Sequence, residues 1–190
     1  MTPFNILILA GHSGAGKTSI ARQMSKDYDL GFIEHQKLIH EMAISKGYLR
    51  TRHWLKEVGI KSFVDESKSE MYSRLESFRM SGLKGVVIDV AYGNDMVTEI
   101  SSRFSDAKVI VISVCTNEAI RETRIMSRMG GVERTVAYDE REFRDGFLND
   151  VGLREVIDNA DFEIINNGDL RDTIGLLYKN LEERGIQLKT

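Results

Sequence analysis

The octapeptide GHSGAGKT, residues 11–18, follows directly on the apolar run FNILILA, residues 4–10. Three glycines at the mouth of a buried strand weaken both helix and strand, so this stretch must be a turn with special backbone angles that something uses. Gly11, Gly16, Lys17 and Thr18 satisfy the spacing G-x-x-x-x-G-K-S/T, and Gly14 adds a further permissive position. In a loop of that spacing the backbone N–H groups curl round a phosphate, and the glycines allow the close approach. The helix that follows, starting near Gly16, points its positive end at the same oxygens. The pattern thus assigns Gly11, Ser13, Gly14, Ala15, Gly16, Lys17, Thr18 and Ser19 to the phosphates of a nucleotide. Lys17 would reach the β- and γ-phosphates, and the Thr18 hydroxyl would hold Mg²⁺. His12, Ser13 and Ala15 fill the variable positions, and His12 reads as a loop residue rather than a base.

Such a loop needs a strand before it and a helix after it, and the rest of the chain continues that alternation. Five runs are continuous in Val, Ile and Leu, as strands buried on both faces are. They are Phe4 to Ala10, Gly31 to Glu34, Gly85 to Asp89, Lys108 to Cys115 and Phe162 to Asn166. Helical patterns intervene. Ile20, Ala21 and Met24 share one face, and so do Ala119, Ile120, Thr123 and Met126. A last helix from about Leu170 to Arg184 carries Ile174, Leu177, Tyr178 and Leu181. The expected fold is α/β: a three-layer αβα P-loop NTPase fold on a five-stranded parallel sheet.

Roughly fifty residues separate the second run from the third, where a simple crossover needs about a dozen or slightly more. Two helical stripes lie there: Leu38, Ile39, Met42 and Ala43, closed by Gly47, and Met71, Leu75 and Phe78, closed by Gly82. Residues 36–82 are therefore expected to be a helical substrate-binding insertion over the carboxyl ends of the strands, where open parallel sheets bind ligands. The polar stretch 129–145 is a second candidate insertion. No linker divides the 190 residues, so a single domain is expected.

Lysines and arginines number 26 against 29 acidic residues, a formal charge of −3. That balance argues against non-specific binding to nucleic acid or an anionic membrane, and leaves room for one anion in one basic pocket. Cys115 is the single cysteine, so no intrachain disulfide forms, and with four histidines it gives no zinc spacing. No signal-peptide pattern or membrane-length apolar run occurs, and a cytoplasmic location is expected. Oligomeric state is not legible.

Asp89 ends the apolar run GVVID. An acid at a strand end beside the loop can orient Mg²⁺ through water or hold Thr18; the alternative is a strand-ending turn residue. A guanine-reading N-K-x-D is absent, and DVAYG after Asp89 lacks a D-x-x-G switch. A small kinase or a nucleotide-sensing relative remains. Arg121, Arg124 and Arg128 fall on one helix face. Like charges so placed repel by a few tenths of a kcal/mol per pair, roughly, and an anion reverses that cost. Arginines closing over a transferring phosphoryl group stabilise its spreading charge; a solvated face paired with Glu118 and Glu122 is the alternative. Arg134, Arg141 and Arg144 carry weaker individual warrant. Trp54 and Leu55 read as packing of the insertion, and Cys115 as a core residue.

In this order, GHSGAGKT, VVID, RETRIMSR and NADFEIINNGDL resemble the landmarks of dephospho-CoA kinases and their nucleoside monophosphate kinase-like relatives. The resemblance spans most of the chain and implies a P-loop core, a substrate-binding helical region and a mobile lid over about 129–145. It implies that Arg124 and Arg128 lie in or beside that lid, and that Asn166, Asn167 and Gly168 form the loop against the adenine ring. Two departures stand out. Dephospho-CoA kinases carry DAD after the second strand; here the stretch is EHQ, leaving Glu34 or His35 as the carboxylate or imidazole within reach of an attacking hydroxyl. Monophosphate kinases carry an arginine shortly after the third strand, and DVAYGND has none. Arg50, Arg52 or Arg79 would then read the acceptor. The expected activity is transfer of the ATP γ-phosphoryl group to a nucleotide, nucleoside or coenzyme precursor, with ATP and Mg²⁺ as cofactors. Lys17, Glu34, Arg124 and Arg128 would be the catalytic set, and Thr18 and Asp89 the metal set. The alternative is a regulatory ATP-binding protein with slow or no hydrolysis.

Overall fold

The computed structural model describes residues 3–90, 92–130, 134–186 and 188, without the side chains of Arg134, Val136, Ala137 and Glu140. In chain order the elements are β1 (Asn5–Ala10), α1 (Lys17–Tyr28), β2 (Gly31–Ile33), α2 (His35–Ser45), α3 (Thr51–Met80), β3 (Gly85–Ile88), α4 (Gly93–Arg103), β4 (Lys108–Cys115), α5 (Glu118–Arg128), α6 (Arg134–Asp150), α7 (Leu153–Asp158), β5 (Phe162–Ile165) and α8 (Leu170–Glu183).

The five strands form one sheet in the order β2-β3-β1-β4-β5, parallel throughout. β1 lies at its centre with every residue buried, which is why its sequence is a continuous apolar run rather than an alternation. Ile6 sits in register with Val86 of β3 on one side and Val109 of β4 on the other. The order steps outward from β1 in both directions, so β1 and its two neighbours bring their carboxyl ends together at a crossover point, the place where such sheets bind ligands. The glycine loop leaves β1 there.

Each face of the sheet has its own core. On one, Ile20, Ala21 and Met24 of α1 and Ile174, Leu177 and Leu181 of α8 cover Leu7, Leu9, Val87 and Ile112. On the other, Ile6, Ile8, Val86 and Ile88 meet Met71, Tyr72 and Leu75 of α3, Met96 and Ile100 of α4 and Leu153 and Val156 of α7. The three layers and the parallel five-stranded sheet are those the sequence pattern implies.

α3 is broken at Gly59, whose φ of 78° and ψ of 164° lie outside the helical region. Beyond the break it is a sheet-covering crossover helix. Before the break, Trp54 joins Ala43 of α2 and Phe63 in a small separate core, with Phe147 of α6 against it. The long connection thus serves two ends: its last turns complete a layer, and its first turns project with α2 beyond the strand ends.

Two expectations are corrected here. The inward residues of α5 are Glu122 and Ile125, while Ala119 and Thr123 are exposed. That helix packs on the glycine loop and on α6 rather than on the sheet, so the apolar periodicity misled. Arg79 lies near the end of α3, before β3 begins, and its guanidinium meets Asp106 at 2.7 Å and the Phe104 ring. Asp106 precedes β4, so Arg79 stands at the amino-terminal edge of the sheet and cannot read an acceptor at the opposite edge. Residues 131–133 of the expected lid, and the side chain of Arg134, lie outside the described residues. Among the described residues, no helix is long and apolar enough to cross a membrane.

Candidate active site

The glycine loop is squeezed between β4, α5 and the turn after β5. A Cβ on Gly11 would lie 2.5 Å from the Val114 carbonyl oxygen of β4. Gly14 has φ +81°, and a Cβ there would lie 2.8 Å from the Arg121 carbonyl oxygen of α5. These are close approaches that only glycine permits.

A frame holds the loop from outside. Asn166 Nδ2 donates to the Ala15 carbonyl at 2.8 Å, and Thr116 Oγ1 donates to it at 3.1 Å. Arg124 Nη1 donates to the Ala15 carbonyl at 3.4 Å, and its Nη2 donates to the Asn166 carbonyl at 3.1 Å. Asn166 is itself fixed by Thr173, whose hydroxyl donates to its Oδ1 at 3.1 Å. Across a planar trans peptide the N–H of Gly16 opposes the Ala15 carbonyl, so it faces away from this frame. Arg124 and the Asn166 side chain are therefore committed to backbone carbonyls in this structure and hold the loop in shape. Asn167 and Gly168 are exposed at the same turn, and Asn167 Oδ1 accepts the Asn117 N–H at 2.8 Å.

α1 begins at Lys17 with no side-chain cap and no acidic residue in its first turn. The first N–H groups of a helix have no intrahelical partner and carry its positive end. Here nothing from α1 itself neutralises them, as suits a seat for an external anion. Lys17 Nζ curls back over the seat and donates to the Gly11 carbonyl at 2.6 Å and the His12 carbonyl at 3.1 Å. Burial pushes the Lys17 ammonium down to about 8, against the pull of Asp89 and Asp145 and with Arg121 and Arg128 adding to the fall.

Thr18 Oγ1 donates to Asp89 Oδ2 at 2.5 Å, and the His35 backbone N–H donates to Asp89 Oδ1 at 2.9 Å. Asp89 is 5% exposed. Burial raises its carboxyl above the usual range, while the Thr18 and His35 bonds and Lys17 oppose the rise. The hydroxyl and carboxylate beside the open helix end form a hard-oxygen pair of the kind Mg²⁺ takes together with phosphate oxygens. Donor set and loop shape thus fit a Mg²⁺–polyphosphate ligand.

The other expected residues lie around this seat in different states. Glu34, next to Asp89, is paired with Arg22 of α1 at 3.0 Å. The His35 ring is buried edge-on against Tyr92, with Nε2 hydrogen-bonded to the Tyr92 hydroxyl, and burial pushes its imidazole down to about 3. Arg128, on the exposed face of α5, is depressed by burial first and then by Arg144 and Arg124, so these cations share one neighbourhood with Lys17. Arg141 turns away, pairing with Glu118 at 2.7 Å. Arg50 and Arg52 are exposed around the start of α3, and Ser19 is exposed on α1. Cys115 ends β4 half-buried, its thiol donating to Glu163 at 3.0 Å.

Asp145 escaped the sequence reading. Its Oδ1 accepts the Ser13 backbone N–H at 2.8 Å, and its Oδ2 is ion-paired with Arg121. Arg121 Nε also donates to the Ser13 carbonyl at 2.8 Å. One acid in a stretch crowded with charges has no periodicity to mark it.

No family model matches the chain, and no curated protein matches it by sequence. Solved structures do match its shape. Shikimate kinase from Bacteroides thetaiotaomicron aligns over 94% of this chain and 98% of its own, at a TM-score of 0.64 and 15% identity. Shikimate kinase from Aquifex aeolicus aligns over 95% and 98%, at 0.61 and 13%. A sugar kinase from Janibacter sp. HTCC2649 aligns over 99% of both chains, at 0.58 and 14%. In its five-stranded parallel sheet, its flanking helices and its overall path, this chain has the α/β fold of these kinases.

Proposed function

We propose that this protein is an ATP-dependent small-molecule kinase, moving the γ-phosphoryl group of ATP to an acceptor held by α2 and the first part of α3. The observation that carries the reading is the convergence of the uncapped α1 terminus, Lys17 and the Thr18–Asp89 pair at the carboxyl edge of β1 and β3. Phosphoryl transfer asks a protein chiefly for positioning and for charge placed around the phosphoryl oxygens. The loop amides and Lys17 would orient the phosphate chain. Mg²⁺, held through Thr18 with Asp89 behind it, would supply neutralisation between neighbouring phosphates. Arg128, with Arg144 near it, would face the developing charge, while Arg124 keeps the loop in shape. Asn167 and Gly168 would line the adenine side. Glu34, once released from Arg22, would accept the attacking hydroxyl's proton; His35, locked against Tyr92, would not.

The acceptor class follows the resemblance to dephospho-CoA and nucleoside monophosphate kinases, with a phosphorylated nucleotide, nucleoside or coenzyme precursor expected. The test is ADP release from Mg-ATP in the presence of dephospho-CoA, ribo- and deoxyribonucleoside monophosphates, nucleosides, shikimate and sugars. Release stimulated by one acceptor supports the kinase. Tight ATP binding with no stimulation by any acceptor would replace it with the regulatory reading.

A further inference from the structure

Asp145 belongs to α6, yet its carboxylate lies in the nucleotide loop. It takes the Ser13 N–H at 2.8 Å and pairs with Arg121, and the two side chains are only 14% and 13% exposed. Arg121 closes the circuit by donating to the Ser13 carbonyl. About one turn further along α6, Asn149 lies beside the His12 side chain. Two consecutive loop residues thus face α6, and Ser13 is the one it holds by a hydrogen bond. The loop amide here receives an anionic oxygen, as amides of such loops do from phosphates, and the oxygen comes from the protein itself. Its charge is felt by Lys17 as well. A phosphate group entering this seat would meet a second anion at contact distance in a half-buried place, where like charges repel strongly.

Resting on the nucleotide reading of the loop, we propose that Asp145 is a resident anion. It holds α6 on the loop when no nucleotide is bound and yields the Ser13 N–H and Arg121 to the outermost phosphate when one arrives. A seat filled by Asp145 nine-tenths of the time weakens apparent affinity about tenfold, because only the vacated fraction binds. Removing the charge should return that factor, and Arg121, freed of its partner, would favour the incoming anion further.

The experiment is calorimetric titration of ATP, and separately of inorganic tripolyphosphate, into the wild type, Asp145→Asn, Asp145→Ser and Asn149→Ala, each shown to be folded by circular dichroism. Either Asp145 variant suffices if the other does not fold. The expected result is binding about tenfold tighter for the Asp145 variants with both probes, and Asn149→Ala within about twofold of wild type. Unchanged or weaker binding in the Asp145 variants overturns the proposal. So does equal tightening in Asn149→Ala, since a general loosening of α6 would then explain the effect. If all the proteins ignore both probes, the nucleotide reading itself fails and takes the proposal with it.

Discussion

The Thr18 hydroxyl donates to Asp89 Oδ2 at 2.5 Å, joining the first turn of α1 to the end of β3 across the sheet's crossover point. Asp89 also receives the His35 N–H, so one buried carboxylate ties three elements together. Its charge has a structural duty and, under the proposed function, a metal-orienting one. Asp89→Asn keeps the shape and one acceptor oxygen while removing the charge. Magnesium-supported ATP turnover is expected to fall about 10²-fold, the scale of losing one preorganised electrostatic contact, with far-ultraviolet circular dichroism unchanged. Wild-type turnover in the variant would remove Asp89 from the metal set.

Lys17 predicts a proton-linked binding step. Its folded value of about 8 lies below the ordinary 10.5. Between those values the unfolded chain holds a proton that the folded chain has lost, so this residue makes stability rise with pH across that window. Phosphate oxygens beside the ammonium favour its charged form. ATP binding above about pH 8 should therefore take up a proton, visible as a dependence of the binding heat on buffer ionisation enthalpy. The uptake should vanish in Lys17→Met.

The frame around Ala15 predicts different consequences for neighbouring residues. Removing Arg124 or the Asn166 side chain takes one donor from the Ala15 carbonyl, which Thr116 still serves, at about 0.5–1.5 kcal/mol each. Arg124→Ala and Asn166→Ala are expected to lower the melting temperature and to weaken ATP binding together. Gly168→Ala has open space around it and is expected to leave stability within about 0.5 kcal/mol. Urea denaturation of the three variants reads the contrast.

His35 predicts acid sensitivity. Its ring is 7% exposed and its folded value of about 3 lies below the ordinary 6.5. As pH falls below 6.5 the unfolded chain gains a proton that the folded chain refuses, so stability declines by up to about 1.4 kcal/mol per pH unit. His35→Gln should flatten that part of the curve between pH 6 and 4, measured by denaturant midpoints. An unchanged slope would mean that the imidazole charges freely in the folded protein.

Much of the fold was legible because β1, β3 and β4 are buried on both faces and so wrote themselves as unbroken apolar runs; Lys108–Cys115 matches its strand end to end. The special backbone of residues 11–16 was legible because its glycines carry the positive φ angles and close approaches that such a turn needs. What escaped has a common cause. The inward face of α5 is set by its contact with the loop and α6, so Glu122 is buried where the apolar pattern placed Ile120 and Met126. The break in α3 rests on one glycine, Gly59, with open space around it, and nothing local distinguishes it from Gly47 or Gly82. Asp145 meets Ser13 across 132 positions. Contacts made at that range between polar side chains carry no periodicity, and only the folded chain reveals them.

Titration of Mg-ATP into the wild type and into Lys17→Ala by isothermal calorimetry tests the phosphate seat most directly. Saturable, magnesium-dependent binding of one nucleotide per chain is expected for the wild type, weakened by about 10²-fold or more in Lys17→Ala, the scale of losing a charge-assisted contact in a preorganised site. No heat from the wild type, or equal affinity in the two proteins, would contradict the assignment of residues 11–18 to a polyphosphate.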